Sequence, residues 1–104
     1  MHARIAKYTF TGDAQVIAQK AEDGLLPIFQ AQPGFKAYSV VASDEKIISF
    51  SAWESAESAD AANTAAAKWI AANIADQIEL KNITMGEILF STTLGISTKA
   101  GITA

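Results

Sequence analysis

Two kinds of hydrophobic spacing alternate along the chain. From Arg4 to Phe10 the β-branched and aromatic residues Ile5, Tyr8, Thr9 and Phe10 predict a strand, and Thr11-Gly12-Asp13 breaks it and offers a helix N-cap. In the helix that follows, Ile17, Ala21, Leu25 and Ile28 recur at helical spacing, with Gln15, Gln19, Glu22 and Asp23 on the wet side. Pro27 lies inside this pattern. An interior proline removes a backbone donor and crowds the preceding turn, so a kink or restart is expected between Gly24 and Pro27.

Pro33-Gly34 marks a second break. Phe35 to Val41 and Ile47 to Trp53 then read as two strands of a hairpin around Ser43-Asp44-Glu45-Lys46. Ser55 caps a second helix whose first turns hold Glu57 and Asp60, where negative charge suits the helix dipole. This helix is rich in alanine. Ala59, Ala62, Ala66, Trp69, Asn73 and Ile74 mark its buried edge, and the small residues allow it to lie close to a sheet. A last strand is expected over Ile83 to Thr92, with Met85, Ile88, Leu89 and Phe90.

The order β-α-β-β-α-β is the split βαβ pattern. Right-handed crossovers then place both helices on one face of a four-stranded antiparallel sheet, a ferredoxin-like α+β fold. In the third strand Ile48 and Phe50 alternate with Ile47 and Trp53, so both sides are apolar. A sheet with one wet face alternates more cleanly. The helices cover only one side, so a second subunit is expected on the other, making a homodimer.

The chain has 104 residues, enough for one domain, and is 50% hydrophobic and 18% charged, a balance suited to a folded core. The expected division is a folded unit over 1–94 and a tail over 95–104, anchored by little beyond Ile96 and Ile102 and either mobile or reaching across a dimer. The net charge is −3, and the eight Lys and Arg residues are scattered, which argues against a nucleic-acid partner. The absence of cysteine excludes disulfides, thiolate metal sites and a cysteine nucleophile. No apolar run is long enough to span a bilayer, and Met1-His2-Ala3-Arg4 does not open like a secretory signal, so no membrane association and a cytoplasmic location are expected.

Three segments carry a family resemblance: Gly24 to Tyr38 with its Pro33-Gly34-Phe35 turn, Ile48 to Ser55 with Trp53 ahead of an acidic, Ser-capped helix, and Gly86 to Ser91. Together they resemble the antibiotic biosynthesis monooxygenase-like (ABM) family, with the match running from about residue 4 to residue 92. The resemblance implies a dimeric α/β barrel of two ferredoxin-like sheets packed face to face. It also implies one of several activities: cofactor-free oxidation of phenolic or quinol-type compounds, haem degradation or isomerisation of small metabolites. Many enzymatic relatives have a histidine in the second helix, near the position of Ala62 or Asn63, and it is missing here. The single histidine, His2, is expected at a frayed end outside any pocket, which disfavours haem ligation by histidine.

Other chemistries find little support. Asp44 and Glu45 fall in the hairpin loop and Asp76 and Glu79 near a helix end, where solvation accounts for them, so no metal is expected. There is no Gly-x-Ser-x-Gly elbow, and Ser39, Ser49 and Ser51 read as strand residues. The remaining candidate is a pocket between helices and sheet. Asn63 and Trp69 are its candidate catalytic residues, because the resemblance places functional groups on the second helix, and Tyr8, Tyr38, Trp53 and Asn73 are its candidate ligand-binding residues. The resemblance implies that such a site orients a small aromatic substrate that itself supplies the electrons for reaction with oxygen, with no cofactor. The competing reading is a non-catalytic dimer that binds an apolar ligand or supports an assembly, in which the same aromatics are core.

Overall fold

The computed structural model describes residues 1–99. Its elements run β1 (His2–Phe10), α1 (Ala14–Ala31), β2 (Phe35–Ala42), β3 (Lys46–Trp53), α2 (Ala56–Asn73) and β4 (Ile78–Glu87). They form one four-stranded sheet in the order β2-β3-β1-β4 with every neighbour antiparallel, the expected ferredoxin-like arrangement.

Local chemistry places the helices. The Asp13 side chain accepts a hydrogen bond from the Gln15 N–H at the start of α1, and Ser55 accepts one from the Ser58 N–H at the start of α2. Contrary to expectation, α1 runs unbroken through Pro27. Pro27 lies on the exposed side of the helix, as does Asp23, so the carbonyl that loses its donor is within reach of water. The buried positions of α1 are Ile17, Ala21, Leu25 and Phe29. Four-residue steps advance the stripe by about 40° each. It therefore winds onto Phe29 and leaves Ile28 42% exposed, a correction to the expected stripe.

The last strand also differs from expectation. β4 begins five residues earlier, and Ile78, Leu80, Ile83 and Met85 stand opposite Phe10, Tyr8, Ala6 and Arg4 of β1. The Ile88 N–H donates to the Met1 carbonyl at 2.8 Å just past the end of β4 at Glu87. Leu89 and Phe90 lie outside the sheet, 67% and 68% exposed. His2 is not frayed. It is paired in β1 with Trp53 and Glu87, and its Nδ1 is buried without a partner. Of the tail, Ser91 and Ile96 form an isolated bridge, whereas residues 100–104, including Ile102, lie outside the described residues.

Both helices pack on one face of the sheet in two apolar clusters. Leu25 and Phe29 meet Trp53 and the alanines Ala59, Ala62 and Ala66 in the first, where small side chains bring α2 close. Ala6, Tyr8, Ile17, Ile47 and Ile74 form the second. Trp69 packs against both, bridging them. Among the described residues no helix covers the other face, where Ile5, Ile48 and Phe50 are only partly buried and Val41 is 59% exposed.

Candidate functional site

The two-residue period of β1 points Arg4, Ala6 and Tyr8 toward the helices, and cross-strand pairing brings Ser49 of β3 opposite Ala6. Arg4 is 2% exposed, a cation inside the protein. Its Nε donates to Oδ1 of Asn63 at 2.8 Å, and its Nη2 donates to the Tyr8 hydroxyl at 3.2 Å. Neither partner carries a charge to offset it. Among the described residues the ion pairs are Lys36 with Glu54 and Lys81 with Glu79, so no carboxylate neutralises Arg4. Taking a guanidinium out of water without a counter-ion costs several kcal/mol, and the remaining burial of the fold has to offset that cost.

Two spaces meet at this cluster. A small recess of ≈ 30 Å³ lies between α1, α2 and the sheet, lined by Arg4, Tyr8, Tyr38, Ser49 and Trp69 with apolar residues of both helices. It has room for about one water. A groove of ≈ 420 Å³ runs between α2 and β4, lined by Arg4, Tyr8, Asn63, Ile70, Leu80 and Ile83 among others. This volume is within the range of small-molecule sites. Arg4, Tyr8, Ile70 and Ile78 border both spaces. The register shift in β4 between its Tyr8 and Lys7 partners lies at the same point and turns both Leu80 and Ile83 toward the groove. A larger depression of ≈ 510 Å³ at the start of α1, whose polar lining is Asp13, Gln15, Gln19 and Glu22, presents exposed polar side chains and no buried polar group.

The phenol of Tyr38 is pushed up from 10.0 to about 12, first by burial and then by the neighbouring Tyr8; the Ser49 hydroxyl and the Arg4 cation pull the other way by less. Tyr38 is therefore a neutral phenol at ordinary pH, fixed by an edge-on contact with Phe29 at 4.9 Å between ring centroids. Glu79, at the groove rim, has its carboxyl held low by the hydrogen bond and charge of Lys81. Trp69 is positioned by a glycine. An ideal Cβ on Gly24 would lie 2.6 Å from the Trp69 Nε1, so the indole occupies space that only a residue without a side chain leaves open.

The expected site residues do not all assemble. Tyr8, Tyr38 and Trp69 line the recess, whereas Asn63 lines the groove, joined to them through Arg4. Trp53 is fully buried, with its Nε1 donating to Ser51 Oγ at 2.9 Å and edge-on contacts to Phe29 and Phe35, and it lines neither space. Asn73 is exposed and donates to the Trp69 carbonyl in its own helix. Its four-residue separation from Trp69 does not bring it to the site, because the buried face of α2 winds from Trp69 onto Ile70 and Ile74 and leaves Asn73 on the exposed side. Arg4 was not among the residues expected at the site. The sequence does hold a signal for it: Arg4, Ala6 and Tyr8 alternate on one strand face, which puts a cation beside a tyrosine in a core-facing row. Among the described residues no group of three or more His, Asp or Glu side chains converges as metal ligands do, and no helix is long and apolar enough to cross a membrane.

No protein-family model matches the chain, and no curated protein matches it. Solved structures do. SnoaB, a cofactor-independent oxygenase from Streptomyces nogalater, superposes with a TM-score of 0.68 at 13% identity over 86% of this chain and 94% of that one. The monooxygenase ActVA-Orf6 of Streptomyces coelicolor, solved with nanaomycin D, gives 0.63 at 19% identity over 86% and 92%. Rv0793 of Mycobacterium tuberculosis gives 0.65 at 17% identity over 86% and 96%. The chain thus has the fold of the antibiotic biosynthesis monooxygenase-like proteins.

Proposed function

We propose that this protein is an ABM-type, cofactor-independent monooxygenase acting on a phenolic or quinol-type small molecule in the groove between α2 and β4. The observation that carries the reading is the cluster of buried Arg4 and Tyr8 with half-buried Asn63 at the inner wall of a groove of ligand size. The fold shared with SnoaB and ActVA-Orf6 supports it, as does the aromatic and aliphatic lining.

In this reading the phenolic ring reacts through its keto tautomer, whose activated ring CH2 is converted to a ketone. Two C–H bonds break, one atom of dioxygen becomes the new carbonyl oxygen, and the other leaves as water with the two hydrogens. The substrate supplies all the electrons. What the protein contributes is position and field: Arg4 stabilises negative charge that develops on the substrate oxygen, Asn63 orients the guanidinium, and the Tyr8 hydroxyl lies within reach of the same oxygen. Trp69 and Tyr38 wall the recess behind them.

The protein is further read as a homodimer through the helix-free sheet face, where Ile5, Ile48, Phe50 and Val41 form an apolar patch. The test of activity is oxygen consumption by metal-stripped protein against a panel of quinols and phenols, with Asn63→Ala and Trp69→Phe alongside. Saturable uptake that falls in the variants is the expected result. No uptake across the panel would replace this reading with that of a ligand-binding dimer.

A further inference from the structure

We infer that Arg4 is an anion-binding residue and that the groove takes an aromatic ligand bearing an anionic oxygen, either a carboxylate or an ionised phenol. Only the aromatic nature of the ligand rests on the oxygenase reading. The charge is argued independently, from Arg4 itself.

A guanidinium buried to this degree is ordinarily paired with a carboxylate, because an uncompensated charge in a low-dielectric interior is strongly unfavourable. Arg4 is 2% exposed and has two neutral partners, Asn63 Oδ1 and the Tyr8 hydroxyl. Its Nη1 makes no hydrogen bond among the described residues, yet it is not among the side-chain atoms sealed from solvent, and the residue borders both the recess and the groove. Free donors on a planar fork, at the wall of a groove, match an oxyanion geometrically and electrostatically. The carboxylate at the groove rim, Glu79, is exposed and engaged by Lys81 at 2.7 Å, so it does not serve as the counter-ion. Residues lining the rest of the groove, Ala67, Ile70, Ala71, Leu80 and Ile83, are apolar and suit the hydrocarbon part of such a ligand.

The ligand in effect completes the ion pair that the fold leaves open. Two consequences follow that a purely structural arginine does not share. Replacing Arg4 by methionine should leave the thermal midpoint of the ligand-free protein unchanged or raised, since an uncompensated buried charge is removed. Asn63→Asp should supply an internal carboxylate at the position that now accepts the Nε hydrogen bond, and so compete with the ligand.

The experiment is isothermal titration under nitrogen with 2-naphthoate, its neutral counterpart 2-naphthalenemethanol, and 2-naphthol below and above its own ionisation. The wild type should prefer naphthoate over the alcohol by tenfold or more if the site takes carboxylates. If it takes phenolates, naphthol should gain tenfold or more on ionising. The preference should persist in Arg4→Lys and disappear in Arg4→Met and in Asn63→Asp. If Arg4→Met does not fold, the inference is overturned on stability grounds, because the residue is then structural. Equal affinity of wild type for all charged and neutral probes overturns it outright. Anion preference without oxygen uptake in the activity assay leaves this inference standing and removes the oxygenase reading; the reverse pattern does the opposite.

Discussion

The indole of Trp69 on α2 rests against the backbone of Gly24 on α1, with Nε1 only 2.6 Å from where a Cβ on Gly24 would be. Two helices distant in sequence thus share one void, filled from the α2 side. The contact sets where Trp69 stands between the two apolar clusters, and with it the back wall of the recess beside Arg4.

Gly24→Ala separates helix propensity from packing. Alanine favours a helix interior over glycine by about 1 kcal/mol, whereas forcing a methyl into occupied space costs about 1–3 kcal/mol. Packing is expected to win here, because the atoms in the way belong to a ring held on both sides. Urea unfolding should show a net loss of stability with a changed Trp69 emission. A net gain would mean that the indole swings aside freely.

Asn63→Ala leaves the Arg4 Nε without its acceptor. The expected cost in stability is about 1–3 kcal/mol, and turnover of any substrate found should fall by about tenfold or more as the guanidinium loses its orientation. Steady-state kinetics beside a thermal melt tests both. Full activity in the variant would remove Asn63 from the site.

Tyr38 predicts an alkaline limit. Its phenol is raised in the fold from 10.0 to about 12, so between those values the native state holds a proton that the unfolded chain releases. The stability it contributes is fully present below pH 10.0 and is lost as pH rises through about 12. Urea melts of wild type should therefore weaken more steeply over this window than those of Tyr38→Phe, while the two profiles run parallel at about pH 9. Identical slopes throughout would show that the phenol is solvated.

The helix-free sheet face predicts a dimer by light scattering. Phe50 stands beside Ile5 of β1 on that face, and Phe50→Lys should raise the dimer dissociation constant by about 30-fold or more, as for a central interface residue. A wild-type monomer at every concentration would reject the interface.

Much of this protein is legible along the chain. The two-residue period of Ile47 to Trp53, the capping residues Asp13 and Ser55, and the spacing of Ala59, Ala62 and Ala66 are local signals, so element types and order follow from them. Ile47 and Trp53 do face the helices while Ile48 and Phe50 face away. Tyr8, Tyr38, Asn63 and Trp69 also reach the two spaces that meet at Arg4, although in two separate linings.

Other features depended on the tertiary structure. The extent of β4 follows its pairing with β1 and not hydrophobicity: it runs from Ile78 to Glu87, and Leu89 and Phe90 fall outside the sheet. Trp53 and Asn73 have composition suited to a pocket, but one is sealed in the core and the other stands in water. Arg4 is the clearest case. In the sequence it is one scattered cation near the start of the chain; in the fold, Asn63 lies 59 positions away and yet accepts its Nε hydrogen bond. Periodicity gives the face on which a side chain lies, because that depends on backbone geometry alone. Whether a buried charge finds a counter-ion depends on which residues of distant elements are brought against it, and only packing decides that.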